Sequence, residues 1–267
     1  MNRFIKILSA ALLLGAAVSV YAQDQSAGSA ADANAIMNSA KNRVSSDTVS
    51  SRSRMVITAK DGSSTERVID QYSKDGPNGA RTVIVFQRPA NVAGSRFLTM
   101  DNDKGGTDQW IYLPSLGRVR RISTTESGGN FMGTDFSYDD ISSMDRDISL
   151  DTHTVVKEER INGKNCYVIQ SIPNDSAYQY TKTITWIDKD NYLIYKAEMY
   201  NRRNEVAKIM EMADFKDVQG RVTPMQTKIS TVAAGTSTTI FMEIMKYDDP
   251  IPDGVFTVAY LETGRAR

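Results

Sequence analysis

The sequence predicts a mainly β fold of the α+β class, in which an antiparallel sheet curls into a barrel or half-barrel. Roughly ten or more short segments alternate apolar and polar residues with a period of two, which is typical of half-buried strands. Tight-turn signals such as Asp61-Gly62 and Asn162-Gly163 join consecutive segments as hairpins. The chain shows neither an internal linker nor a repeat of fixed period, so one domain of this length is consistent with a β-barrel.

The N-terminus predicts a signal peptide, residues 1–22, rather than a part of the fold. Arg3 and Lys6 form a charged start, an apolar run follows over 5–20, and small residues before Gln23 suit signal peptidase. A retained anchor is the alternative, although the run is short for a membrane span. We therefore expect an exported, periplasmic protein that is cleaved near Ala22 and whose residues 23–267 form a single domain.

Composition excludes several classes of function. The chain has 32 Lys and Arg against 32 Asp and Glu, which gives no indication of a nucleic-acid partner. Cys166 is the only cysteine and lies in a predicted strand, so we expect neither an N-terminal lipid nor an intrachain disulfide but a small core residue. His153 is the only histidine, which leaves little basis for a metal cage or a catalytic triad, and we expect it to be solvated.

The first predicted element is a helix over 32–43, because Ala33, Ile36 and Ala40 recur on one helical face, with Ser29 or Asp32 as its cap. From Ser51 the apolar period changes to two, which favours strands. The strands predicted in this half are 51–59, 67–72, 82–87, 95–100 and 110–113.

A loop over 114–140 divides the chain and leads into a short predicted helix near 138–144. The strands predicted after it are 153–161, 165–172, 181–187, 192–200, 205–212, 222–231 and 238–247. Pro250 and Pro252 end the series, and the pattern over 255–261 assigns no structure to the tail.

The dividing loop combines large apolar side chains with glycines and is the candidate binding segment. Phe131, Met132 and Phe136 stand among Gly128, Gly129 and Gly133, whereas large apolar groups normally lie in the core. We interpret the loop as a mobile cover over an apolar cavity, with an ordinary packed core as the alternative for the Met-rich and Ile-rich strand faces. The candidate acyl-chain contacts are Trp110, Tyr112, Leu113, Leu116, Phe131, Met132 and Phe136.

Three arginines follow the Gly117 turn within this stretch. Arg118, Arg120 and Arg121 are candidate ligands for the anionic head group of an amphiphile, since guanidinium groups donate in pairs to phosphate or carboxylate. A solvated basic turn is the alternative. Asp135, Asp139 and Asp140 lack the ligand spacing of a calcium loop, and a helix-capping role for one of them is expected instead.

The two runs that carry these residues resemble the outer-membrane lipoprotein-sorting protein family, the LolA-like periplasmic carriers. The runs are Trp110-Ile-Tyr-Leu-Pro-Ser-Leu-Gly-Arg-Val-Arg-Arg-Ile122 and Phe131-Met-Gly-Thr-Asp-Phe-Ser-Tyr-Asp-Asp-Ile141, and the Asp32-Ala-Asn-Ala-Ile-Met helix also fits. The resemblance implies an incomplete antiparallel barrel curled over a few helices, with an apolar cavity for the acyl chains of a lipid or lipoprotein. It also implies a membrane partner, a transporter of the resistance-nodulation-division type.

Together these observations predict a soluble periplasmic carrier that shuttles acyl chains between envelope membranes. We expect no catalytic residue, cofactor or metal, because the mechanism is non-covalent. One alternative is an accessory subunit of an envelope transporter that binds no lipid. Another is a hydrolase of envelope lipids that acts through the aspartates.

Overall fold

The computed structural model describes residues 30–76, 79–103, 106–143 and 146–266. The predicted signal peptide therefore lies outside the described residues. The helices are α1 (Ala30–Asn42), α2 (Tyr138–Ser142) and α3 (Val258–Thr263), with 3₁₀ turns at Phe131–Gly133, Ile148–Leu150 and Asp253–Val255. Because α1 begins at Ala30, Asp32 lies inside its first turn and does not cap this helix, and the other predicted cap, Ser29, lies outside the described residues. None of the described helices is long and apolar enough to span a membrane.

Strands make up most of the described chain. They are β1 (Thr48–Thr58), β2 (Ser64–Gly76), β3 (Gly79–Arg88), β4 (Arg96–Asp101), β5 (Thr107–Leu113), β6 (Arg118–Arg121), β7 (Asp151–Ile161), β8 (Lys164–Pro173), β9 (Lys182–Asp188), β10 (Ile194–Tyr200), β11 (Val206–Val218), β12 (Arg221–Thr231) and β13 (Thr236–Tyr247). The predicted hairpins at Asp61-Gly62 and Asn162-Gly163 are confirmed, since they join β1 to β2 and β7 to β8.

All thirteen strands of the described ranges form one antiparallel sheet in the order β6-β5-β4-β3-β2-β1-β13-β12-β11-β10-β9-β8-β7. Edge strand β6 pairs only with β5, and edge strand β7 pairs only with β8. In the middle of the sheet, β1 pairs with β13 and joins the two halves. The sheet is therefore open at β6 and β7. This confirms the predicted incomplete barrel and excludes a closed one within the described residues.

One core cluster shows that the sheet curls. It contains Ile111 from β5 and Met199 from β10, which are eight strands apart in the sheet order. In a flat sheet that distance would be about 38 Å, from a strand spacing of ~4.8 Å. Residues 123–143, which we call the insert, lie inside the curl. Both side chains belong to the same cluster because the insert packs between them. We call this side of the sheet the inner face.

Two smaller clusters complete the packing. The outer face of β3–β5 carries Val83, Val85 and Leu98, which pack against Phe256 and Leu261 of the C-terminal segment. This segment is the tail to which the sequence pattern assigned no structure. At the other end of the sheet, Ala33 and Ile36 of α1 pack on β7–β9, as the predicted apolar stripe of this helix requires.

Candidate functional site

The insert fills the inside of the curled sheet with aromatic side chains. Phe131 and Phe136 are fully buried, and the Phe131 ring lies 5.0 Å from Phe97, 5.8 Å from Phe86 and 5.4 Å from Tyr138, between ring centroids. Phe131 and Phe136 therefore belong to the packed core of this structure, whereas the interpretation of the loop as a cover placed them over a cavity. The curl offers a large apolar concavity, and burying these rings in it removes their surface from water.

The backbone of the insert is nearly independent of the sheet. Its backbone hydrogen bonds outside α2 stay within or next to the insert, for example from Phe131 N to Phe136 O (2.7 Å) and from Tyr138 N to Gly129 O (3.1 Å). Its one β-bridge, between Asn130 and Ser137, is also internal. Side chains rather than a strand ladder therefore hold the insert in place.

Asp135 is the first of two carboxylates that anchor the insert. Thr231 and Thr238 donate hydroxyl hydrogen bonds to it at 2.7 and 2.8 Å, and Thr236 donates a third. The Asp135 amide donates to the Thr238 hydroxyl at 2.9 Å. Only 4% of Asp135 is exposed, so these donors take the place of water around a buried charge.

Asp140 is the second anchor and forms a buried ion pair with Lys208 of β11, at 2.6 Å. Tyr180 and Gln179 donate further hydrogen bonds to its carboxylate, at 2.8 and 3.0 Å. Asp140 also accepts from the amide of Ser137, whose side chain accepts from the Asp140 amide in return, which closes a capping box at the start of α2. Burial, followed by the charge of Asp140, raises the pKa of Tyr180, so its hydroxyl remains a donor.

The expected capping role for one of the three aspartates is thus confirmed at Asp140. Asp139 binds elsewhere, accepting from Ser127 at 2.9 Å, and burial raises the pKa of its carboxyl group. The three carboxylates therefore have separate partners. No group of three or more His, Cys, Asp or Glu residues in the described ranges is placed to hold a metal ion.

Arg67 of β2 supplies a third side-chain contact to the insert. Its guanidinium donates to the carbonyl oxygen of Met132 at 2.5 Å and lies 5.8 Å from the centre of the Phe86 ring. Burial lowers the pKa of Arg67. Met132 itself has a positive φ of 51°, which turns its carbonyl out of the 3₁₀ turn.

The candidate acyl-chain residues of β5 divide between two faces. Leu113 packs against the inner cluster, but Trp110 and Tyr112 pack on the outer face against the C-terminal segment. The prediction that Trp110 and Tyr112 line the same cavity as Phe131 is wrong, since successive strand residues point to opposite faces. Leu116 lies in the turn after β5 and is 53% exposed.

The three candidate head-group arginines are also separated. Arg121 pairs across the ladder with Trp110 and binds Asp108, which places it on the outer face. Arg118 and Arg120 alternate with it on the inner side of edge strand β6, and Arg120 forms an ion pair with Glu126 at 2.9 Å. The prediction that all three arginines bind one head group is therefore wrong. A head-group role for Arg118 and Arg120 stays a prediction.

An open cavity of about 640 Å³ lies beside the insert, between the start of β1, the inner face of β2–β4 and α2. Its wall is mixed, since Ser73, Thr82 and Thr99 and the ion pair of Arg146 with Asp151 lie beside apolar side chains such as Met37 and Ile141. The predicted apolar interior exists, but the insert occupies it. Near this cavity His153 is only 2% exposed and is hydrogen-bonded through both ring nitrogens, so its predicted solvation is wrong.

Sequence reasoning missed Arg67, Lys208 and the threonines that bind Asp135. The sequence does contain a signal for the threonines: Thr236 and Thr238 alternate along one strand, and Thr231 ends the strand before it. Buried hydroxyl groups on the inner face of a strand need a polar partner, so this pattern indicates a polar group packed against them. Lysine at 208 breaks the apolar face of β11 in the same way.

Solved structures share this fold. A domain from Vibrio parahaemolyticus described as an outer membrane lipoprotein-sorting protein superimposes with a TM-score of 0.82 at 27% identity, covering 88% of this chain and all of its own. A DUF1329 family protein from Desulfovibrio piger gives 0.80 at 27% identity, covering 86% and 98%. A LolA superfamily protein from Nitrosomonas europaea gives 0.70 at 21% identity, covering 85% and 98%. The resemblance to the lipoprotein-sorting family is thereby confirmed.

A family model described as “Uncharacterized protein” matches residues 78–263, which is more than half of the chain. No curated protein matches this chain.

Proposed function

The chain belongs to the family whose model matches residues 78–263, and we propose that it is a periplasmic carrier of acyl chains. The cargo is a lipid or a lipoprotein, and the carrier moves it between envelope membranes. Lipoprotein sorting is the description of the similar Vibrio domain and supports this assignment.

The observation that carries the proposal is the contrast between the packing of the insert and its connections. Its aromatic side chains occupy the apolar interior of an open sheet, yet its backbone makes no ladder with any described strand. An acyl chain of similar apolar area can replace these rings, since burial of apolar surface contributes roughly 25 cal/mol per Å² whichever molecule supplies it. Loading then exchanges one apolar occupant for another.

In this proposal the insert is displaced from the curl when cargo enters. Leu113, Phe131, Met132 and Phe136 contact the chain or guard its entrance, whereas Trp110 and Tyr112 stabilise the scaffold from outside. We also propose that residues 1–22 direct export and are removed. The same proposal includes a transporter of the resistance-nodulation-division type as the membrane partner.

Native mass spectrometry of protein purified gently from the envelope tests the proposal. The expected result is a bound mass that matches a lipid or an acylated peptide. Met242 and Ile244 offer a matched pair on β13, because Met242 packs on the inner cluster and Ile244 is exposed on the outer face. Met242→Gln should reduce the lipid-bound fraction, and Ile244→Gln should retain it.

Protein that carries no lipid, and takes up none when offered, would refute the carrier function. That result would favour the accessory subunit that binds no lipid.

A further inference from the structure

Four polar side chains of the inner face form one continuous group on three neighbouring strands. Lys208 pairs across the ladder with Thr231, and Thr231 pairs with Thr236, so the three lie side by side on β11, β12 and β13. Thr238 follows two residues along β13 on the same face. We call these four residues the cradle.

Every acceptor that the cradle holds belongs to the insert. The three hydroxyls bind Asp135, and the Lys208 ammonium binds Asp140. The sheet therefore supplies the donors, and the insert supplies two negative charges. The pair is well buried, with 12% of the Lys208 side chain and 4% of the Asp140 side chain exposed.

Displacing the insert removes both carboxylates from the cradle at once. The sheet is then left with an ammonium group and three hydroxyls in an interior with an apolar lining. A buried cation without its partner is strongly destabilising, and unpaired hydroxyls add to that cost. A neutral, fully apolar cargo does not remove this penalty, but an anion on the cargo does.

We infer that the cradle is a binding site for an oxyanion carried by the cargo, the phosphate or carboxylate of an acidic amphiphile. The oxyanion takes the positions of the Asp135 and Asp140 carboxylates, which resemble it in charge and in acceptor geometry. A phosphate monoester has enough oxygens to accept from Lys208 and all three threonines. This inference rests on the proposed carrier function, because the cradle opens only when the insert leaves.

The test compares ligands that differ only in the head or in the chain. Oleoyl lysophosphatidate has the anionic head, monooleoylglycerol has the same chain with an uncharged head, and glycerol 3-phosphate has the head without the chain. Their affinities are measured by titration in native mass spectrometry with delipidated full-length mature protein. The wild type should prefer lysophosphatidate to monooleoylglycerol by about tenfold or more, since hydrogen bonds to charged groups are the strong ones.

The double substitution Thr236→Val, Thr238→Val should abolish most of this preference, read as the ratio of the two lipid affinities in the same variant. The ratio is the readout because losing these contacts to Asp135 also frees the insert, which changes the affinity for both lipids by the same factor. Thr239→Val is the matched control, because Thr239 lies beside Thr238 on the opposite face of β13. If the first variant fails to fold, Lys208→Met with Asp140→Asn removes both charges of the pair together, which costs less stability than removing one. This variant should also lose the preference.

Equal affinities of the wild type for the two lipids, or an unchanged preference in both cradle variants, would overturn the inference and leave the carrier function standing. Glycerol 3-phosphate that binds as tightly as lysophosphatidate would support the oxyanion site but assign it to free phosphate esters, against the carrier function. Absence of binding by all three ligands would overturn both proposals.

Discussion

Replacing Phe131 with alanine tests how strongly the insert is held. The side chain is fully buried and packs against three other aromatic rings, those of Phe86, Phe97 and Tyr138. Removing it leaves a cavity at the centre of the inner cluster. Losses of a buried phenylalanine typically cost about 3–5 kcal/mol, and we expect this cost to fall on the docking of the insert.

The assay follows from the placement of the two tryptophans. Trp110 lies on the outer face and Trp186 in a separate cluster on β8 and β9, so their fluorescence reports on the sheet rather than on the insert. Hydrogen exchange of backbone amides reports on the insert itself. A docking loss of about 3–5 kcal/mol should accelerate exchange in residues 123–143 by about two to four decades, where exchange occurs through local opening.

We expect the free energy of unfolding, measured by urea titration with tryptophan fluorescence, to fall by less than this docking loss. The reason is that the sheet keeps its ladders when the insert opens. Leu116→Ala is the control, since Leu116 is exposed and its loss should stay within about 0.5 kcal/mol. Exchange that accelerates equally in the sheet and in the insert would refute a separable insert. Unchanged exchange in the insert would refute its aromatic anchoring.

Three further predictions concern single groups. Ser137→Ala should lower the free energy of unfolding by about 1–2 kcal/mol in urea titrations, because it removes the capping box of α2, and retention of stability would contradict that role. Burial raises the pKa of Asp139, so its ionised form destabilises the fold above the unfolded pKa of about 3.9. Asp139→Asn should therefore be more stable than wild type at pH 7 but equal to it near pH 3, and equal stability at both would contradict the burial cost. Burial raises the pKa of Cys166 to about 11. The neutral thiol thus contributes to the free energy of unfolding, fully below its unfolded pKa of about 8.5 and progressively less as the pH rises toward 11. Cys166→Ala should remove this part of the pH dependence of stability.

Sequence patterns predicted strands best where local geometry and burial agree. The β7–β8 hairpin is an example, because Asn162 and Gly163 have positive φ angles of 48° and 80°, as a tight hairpin turn requires. Strand β6 was missed, since its four residues include three arginines and show no apolar period. Strand β11 extends beyond the predicted 205–212 to Val218 because it pairs with β12 through a tight turn, although its last residues are mainly exposed.

The candidate site was harder to predict, because a strand pattern does not say which face points inward. Ile111 and Leu113 face the insert, and Trp110 and Tyr112 face the C-terminal segment, yet all four are large and apolar. Only the long-range arrangement of the tail distinguishes the two faces. The same limit applies to Phe131, whose glycine-rich surroundings favour a loop but do not determine whether that loop covers the cavity or fills it.

The polar anchors of the insert have a consequence for affinity. If cargo binds only when the insert is displaced, the apparent affinity equals the intrinsic affinity multiplied by the fraction of open molecules, so every ~1.4 kcal/mol of docking energy weakens apparent binding about tenfold. Aromatic packing by the insert lowers that fraction for every cargo alike. The Asp135 and Asp140 contacts act differently, because a cargo that carries its own oxyanion restores the hydrogen bonds that opening breaks. In the proposed mechanism the apolar interior selects for an acyl chain, and the two carboxylates determine which acyl-bearing molecule competes with the insert.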